Sequence, residues 1–165
     1  VLDLGAGNGM VGDELHALGV KTLVGVDIIP QARSAAMRDR EGIYREYLVT
    51  DMTELPEKKA RRLASHELNC LTTVATLGFG DIPPEAFATA LSLVSTPGWI
   101  AFNIKEDFLR ERDDSGFSRL VRELSRREVI RIEAYRRYRH RLAIDGRPLY
   151  YVAVVATKQE PIPLS

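Results

Sequence analysis

Short apolar runs alternate with amphipathic stretches along most of the chain. Val1 to Leu4 and Thr22 to Val26 are nearly continuous in apolar character, as strands buried on both faces are. Between them Val11, Leu15 and Leu18 recur at helical spacing, and Gly19 is a natural helix stop. Pro30 occupies a first helical position ahead of Ala32, Ala35, Ala36 and Met37, and that helix should end near Gly42. Tyr44 to Thr50 predicts a third strand, Glu57 to Ser65 a charged helix and Leu68 to Ala75 a fourth strand. Phe87, Leu91 and Val94 mark a helix opened by Asp81 and two prolines. A turn at Thr96-Pro97-Gly98 leads into a fifth strand, Trp99 to Ile104, and Phe117, Leu120, Val121 and Leu124 mark the last helix. Val129 to about Ile144 and Leu149 to Thr157 are extended runs joined by Asp145-Gly146-Arg147-Pro148, a hairpin signal that makes the last two strands antiparallel neighbours. The tail Glu160 to Ser165, with two prolines, is expected to be irregular. Strands alternating with helices predict a mostly parallel sheet covered by helices on its faces.

Composition narrows this picture. The 165 residues suit a single domain spanning 1–165, and 45% apolar with 28% charged residues argues against disorder. Basic and acidic residues balance at 23 each, so the molecule as a whole has no pull toward nucleic acid or membrane. A lone cysteine, Cys70, forms no internal disulfide, which fits a reducing compartment and a cytoplasmic location. No apolar run reaches membrane-spanning length and no signal peptide is visible. Because the chain opens inside an apolar run without an initiator Met, native residues preceding Val1 are expected to be missing from it.

Chemistry concentrates at Asp3-Leu4-Gly5-Ala6-Gly7-Asn8-Gly9, between the first strand and the first helix. Glycines let the backbone turn sharply and approach a ligand, and the helix after the turn offers free amides. The dinucleotide pattern Gly-x-Gly-x-x-Gly would need glycine where Met10 stands, and the spacing disfavours a nicotinamide cofactor. A turn serving only helix packing is the alternative. Asp27 comes eighteen residues after Gly9 and ends the second strand, where a carboxylate can accept hydrogen bonds from both hydroxyls of a ribose. Capping the helix at Pro30 is the alternative role, and ribose binding is preferred because Asp27 falls at the strand end after the glycine turn.

Val-Leu-Asp-Leu-Gly-Ala-Gly-Asn-Gly resembles the first motif of class I S-adenosylmethionine-dependent methyltransferases, and the resemblance continues in order along essentially the whole chain. It is nearest to the small methyltransferase-like proteins of the Williams–Beuren-region type. The resemblance implies a Rossmann-like, three-layer αβα fold, with seven mostly parallel strands and an antiparallel seventh strand. It implies S-adenosylmethionine as cofactor and S-adenosylhomocysteine as product. By the same resemblance Gly5, Ala6, Gly7, Asn8 and Gly9 admit the cofactor, and Asp27 binds its ribose. Ile28 packs on the adenine, while Asp51 meets the exocyclic amine and the Met52 backbone reads the ring edge. Asp3 holds the glycine loop or meets the methionine ammonium group, and Val74 and Ala75 line the methyl-transfer centre. Where many relatives carry Asp at the start of the fourth strand, this chain has Asn69.

The acceptor is not written in the motifs. Neither Asn-Pro-Pro-Tyr nor Asp-Pro-Pro-Tyr is present, nor a Pro-Cys nucleophile, and Cys70 falls inside a predicted strand. His16, His66 and His140 show no metal-ligand spacing, so no metal is expected. The sulfonium is already an activated methyl donor. Alignment of acceptor, methyl and sulfur supplies on the order of 7–11 kcal/mol, and a base is needed only if the acceptor must lose a proton. Thr76, Lys105, Glu106 and Asp107 come after strand ends on the acceptor side and are the catalytic candidates, although for each one taken singly a solvated loop residue is the preferred reading. A small-molecule methyl acceptor is the expected partner. The competing class is a non-catalytic module that binds a protein or nucleic acid.

Twelve of the 18 arginines fall between Arg110 and Arg147, among seven acids. If 131 to 144 is one strand, period two places Arg137, Arg139 and Arg141 on one face and Arg136, Tyr138 and His140 on the other. A solvated strand face is preferred here over nucleic-acid binding.

Overall fold

A computed structural model describes residues 1–78 and 81–162. All seven strands join one sheet in the order β3-β2-β1-β4-β5-β7-β6. The strands are β1 (Leu2–Leu4), β2 (Val24–Asp27), β3 (Glu46–Val49), β4 (Cys70–Leu77), β5 (Gly98–Lys105), β6 (Ile130–Leu142) and β7 (Pro148–Lys158). The first five pair in parallel, and β7 runs antiparallel to both β5 and β6. The helices are α1 (Met10–Ala17), α2 (Pro30–Asp39), α3 (Glu57–Ala64), α4 (Pro84–Ser92) and α5 (Phe117–Arg126), with a 3₁₀ turn at Glu106–Leu109 after β5.

Side-chain alternation sorts the two faces. Leu2, Leu4, Val24 and Val26 join the larger core with Leu63 of α3, Phe87 and Leu91 of α4, and Phe117 and Leu124 of α5. Leu23, Tyr44 and Tyr47 join a smaller core with Ala6, with Ala36 of α2, and with Leu15 of α1 packed against it. Each fully buried Leu, Val or Phe side chain contributes roughly 1.5–3 kcal/mol. Helices thus cover both faces of a mostly parallel sheet, as the apolar pattern predicts. The Gly19 stop is also realised: its φ is +90°, its N–H donates to His16, and Val20 donates back to Leu15, closing the helix end.

Several expectations are corrected. Leu18 does not join the α1 core face; it is 81% exposed in the turn that ends the helix. The third strand is shorter than Tyr44 to Thr50, because Tyr44 turns under the glycine loop before β3 begins. The fourth strand extends to Leu77, but its last residues leave register with β5: Thr73 faces Phe102 and Leu77 faces Ile104. The simple two-face reading of the arginine strand fails as well. Register shifts lie between Ile132 and Ala134 and between Arg139 and Arg141. Arg139 is opposite Tyr150 whereas Arg141 is opposite Leu149, so Arg141 changes face and joins the side of Tyr138, itself opposite Tyr151. The hairpin turn forms at Asp145-Gly146, with Gly146 at φ +80° and Ala143 donating to Arg147. Residues 160–162 belong to no helix or strand, and the rest of the expected irregular tail, 163–165, lies outside the described residues.

Candidate functional site

The carboxyl ends of the parallel strands gather along one edge of the sheet, where open α/β sheets bind ligands. A cleft of about 200 Å³ opens there between the ends of β1, β2 and β3 and the start of α4. Its lining includes Gly5, Asp27, Ile28, Asp51, Met52 and Thr76, all singled out from sequence, together with Asp81 and Ile82.

The glycine turn beside the cleft is held rigidly by its neighbours. Gly5 and Ala6 both donate to the Val26 carbonyl at 2.8 and 3.1 Å, tying the turn to β2. Gly7 donates to the Asp27 carboxylate at 2.9 Å, and Tyr47 donates its hydroxyl to the Gly7 carbonyl at 2.7 Å. Arg40, just past α2, donates to the Asn8 carbonyl at 2.9 Å. Gly9 sits at φ +87°, and a Cβ there would come within 3.1 Å of the Tyr44 ring and 3.2 Å of the Arg40 side chain. Gly5, at φ +71°, leaves room for the Thr76 and Ile82 side chains, which a Cβ would meet at 2.8 and 2.9 Å.

Each acidic strand end sits in a distinct hydrogen-bond setting. Asp27 accepts from Gly7 with one oxygen and from Ile29 with the other, both at 2.9 Å, so it ties the glycine turn to the start of α2 as well as facing the cleft. Asp51 accepts the Thr53 backbone and hydroxyl on a single oxygen, at 2.8 and 2.7 Å. The Thr53 hydroxyl, then its backbone N–H, holds the Asp51 carboxyl below the usual carboxylate range. Asp3 is different. It is 1% exposed, lies beneath the turn and is absent from the cleft lining, accepting from Tyr44 at 2.7 Å and Thr72 at 3.3 Å. Burial pushes its carboxyl up to about 6, against the opposing pull of those two hydroxyls.

Ala6, Gly7, Asn8 and Gly9 form the turn but not the cleft wall, and Val74 and Ala75 also lie outside that wall. Val74, Ala75 and Thr76 bulge out of β4 opposite Asn103 alone. Ala75 has φ +60°, and its N–H donates to the Asn103 side-chain oxygen at 2.5 Å. Lys105 and Glu106 face a second cleft, with Arg110, Arg137 and Arg147. There Lys105 pairs with Asp107 at 2.6 Å, and Arg137 grips Glu106 with two nitrogens at 2.8 and 3.2 Å. Chiefly through that grip, the Glu106 carboxyl is held below its ordinary range.

Tyr44, Tyr47, Arg40 and Asn103 escaped the sequence reading. For Asn103 a signal existed: it is the one amide in the otherwise apolar run Trp99 to Ile104, and a polar side chain in a central strand needs partners. The two tyrosines carried no local sign, because their contacts lie about forty residues away in sequence.

The fold has clear relatives among solved structures. An S-adenosylmethionine-dependent methyltransferase from Methanosarcina mazei superposes with a TM-score of 0.64 at 15% identity, covering 96% of this chain and 91% of that one. The N-methyltransferase NodS from Bradyrhizobium japonicum, solved with S-adenosyl-L-homocysteine, gives 0.67 at 15% identity, covering 96% and 77%. An S-adenosylmethionine-dependent methyltransferase from Anabaena variabilis gives 0.67 at 15%, covering 96% and 76%. No curated protein sequence matches this one. The methyltransferase-domain family model matches residues 2–102, which run from β1 through most of β5 and include every wall of the first cleft. The chain therefore belongs to the methyltransferase domain family, whose cofactor is S-adenosylmethionine.

Proposed function

We propose that residues 1–165 form one methyltransferase domain that moves the methyl group of S-adenosylmethionine to a small-molecule acceptor by in-line displacement. The observation that carries this reading is the convergence of Gly5, Asp27, Ile28, Asp51 and Met52 on one cleft at the strand ends. Asp27 accepts the ribose hydroxyls while keeping its bonds to Gly7 and Ile29, since each carboxylate oxygen has a second lone pair. Ile28, 57% exposed, packs on the adenine. Asp51 takes the exocyclic amine on the oxygen that Thr53 leaves unused. A cleft of about 200 Å³ lies below the usual range for small-molecule sites, which suits the adenosine end, and Thr76 and Ile82 pack close over Gly5 beside it.

Methyl transfer needs alignment more than acid or base chemistry: the carbon–sulfur bond breaks as the acceptor attacks, and the sulfonium becomes a neutral thioether. Of the four catalytic candidates Thr76 alone reaches this cleft, so it is the residue proposed to orient an acceptor; Lys105, Glu106 and Asp107 shape the neighbouring charged cleft. The finer kinship, to the small methyltransferase-like proteins of the Williams–Beuren-region type, is proposed from the resemblance of the sequence along the chain; the first motif itself marks only the superfamily. A chain with Cys70 as its one cysteine fits a reducing, cytoplasmic setting, which we propose for it, and no described helix is long and apolar enough to cross a membrane.

Asp27→Ala tests the assignment. The substitution should weaken S-adenosylhomocysteine binding at least tenfold in calorimetry, about 1.4 kcal/mol or more. Unchanged affinity would remove Asp27 from the site.

A further inference from the structure

The parallel topology brings more than the cofactor cleft to this edge of the sheet. Because β7 runs against β5, its first residues, and the last residues of β6, lie beside the carboxyl end of β5. Lys105 faces Tyr151 across one pairing and Tyr151 faces Tyr138 across the next. The hairpin therefore places Tyr138, His140 and Tyr151 next to the β4 bulge that ends at Thr76.

Tyr138 is anchored to that bulge. Asn103 accepts from the Ala75 N–H with its oxygen and donates from its amide nitrogen to the Tyr138 hydroxyl at 2.8 Å. The phenol thus serves Asn103 as an acceptor, and its own proton meets no acceptor among the described residues. Around it stand rings. His140 lies over Tyr151 at 4.2 Å between centroids, with Tyr138 at 5.9 Å from His140 and 6.4 Å from Tyr151. Tyr151 is buried beneath His140, so the surface offered to a ligand is the half-buried Tyr138 and the exposed His140.

The charges here come from three elements. Arg141 of β6, Lys105 of β5 and Asp81 ahead of α4 all act electrostatically on the Tyr151 hydroxyl. Lys105 is already held by Asp107. Asp81 lines the cofactor cleft, which ties the ring cluster to it in space. Arg141 has no carboxylate within ion-pair distance among the described residues, and the shift of register at His140 turns it to this side of the strand. An unspent hydroxyl proton, an uncompensated guanidinium and two accessible ring faces make one coherent demand on a ligand.

We propose that Tyr138, His140 and Arg141 form the wall on which the methyl acceptor lies, and that the acceptor carries an aromatic ring and an anionic group. The ring lies against Tyr138 and His140, the anion meets Arg141, and the Tyr138 hydroxyl donates to an acceptor oxygen or nitrogen. Asn103 is a positioning residue, setting both Tyr138 and the bulge that presents Thr76. This proposal rests on the methyltransferase reading above. The same chemistry occurs in free aromatic acids and in nucleotides, so the test uses both.

Protein loaded with S-adenosylhomocysteine is titrated with 4-hydroxybenzoate against 4-hydroxybenzamide, and with uridine 5′-monophosphate against uridine. In at least one pair the acid should bind at least tenfold more tightly than its neutral partner, and that pair identifies the source. Tyr138→Phe and Arg141→Gln should each weaken the preferred acid at least fivefold while S-adenosylhomocysteine affinity stays at the wild-type value. If S-adenosylhomocysteine binds but neither acid is preferred, or if both variants bind the acid as wild type does, the wall is wrongly placed. If wild type does not bind S-adenosylhomocysteine at all, the cofactor reading fails first and this proposal falls with it.

Discussion

The Tyr47 hydroxyl donates to the Gly7 carbonyl at 2.7 Å, so a side chain of β3 holds up the glycine turn at the end of β1. The two tyrosines beneath that turn pack edge to face at 5.3 Å, one bonded to Gly7 and the other, Tyr44, to Asp3. The turn is thereby built before any ligand arrives, and a preformed site loses less conformational entropy on binding. Tyr47→Phe removes one hydrogen bond and keeps the ring. It should cost about 1 kcal/mol of folding stability in urea unfolding and weaken S-adenosylhomocysteine binding several-fold. Equal affinity in variant and wild type would show that the turn does not depend on this support.

Asp3 gives the fold a pH signature. Its folded carboxyl titrates at about 6, above its ordinary 3.8, so between these values the folded chain keeps a proton that the unfolded chain has lost. Stability from this group is therefore greatest below pH 4 and declines as pH rises toward and past 6. The full swing is about 3 kcal/mol for a shift of this size. Asp3→Asn removes the titration, so the wild-type stability minus that of the variant should fall across pH 4 to 7. A difference that is flat with pH would contradict the assignment.

Lys158 is a buried cation at the far end of β7, 2% exposed, donating to the carbonyls of Leu91 at 3.0 Å and Val94 at 2.6 Å. These oxygens close the carboxyl end of α4, where a cation also meets the negative end of the helix dipole. Burial lowers the ammonium below its ordinary value, and the two bonds offset the cost of that burial. Lys158→Ala leaves both carbonyls unpaired around a void and should cost about 2–4 kcal/mol in thermal or urea unfolding. A loss under 1 kcal/mol would mean that water replaces the ammonium without penalty.

The features legible in the sequence were those written in local pattern. Apolar runs located the strands, Gly5 to Gly9 located the turn, and the count from Gly9 to Asp27 located the second acidic strand end, which does reach the cleft. Asp145-Gly146 fixed the hairpin because an aspartate-glycine pair serves a tight reversal. Contacts made at long range were not legible. Nothing near Tyr44 or Tyr47 announces a partner in the first turn, and alternation along β6 gives no notice that the strand shifts register at His140 and turns Arg141 over. The bulge at Val74 to Thr76 is likewise set by pairing with β5 and by Asn103, not by the apolar run that contains it. Asp3 shows both sides: its place after the first strand was readable, whereas its burial away from the cleft depends on Tyr44 and Thr72 closing over it.

The most direct measurement is a calorimetric titration of the protein with S-adenosylhomocysteine, with NADH as the control. A cleft built on Gly5, Asp27 and Asp51 should bind S-adenosylhomocysteine with a Kd of about 1 μM or tighter, about −8 kcal/mol, and should leave NADH unbound. Binding of NADH in preference to S-adenosylhomocysteine, or of neither, would contradict the account.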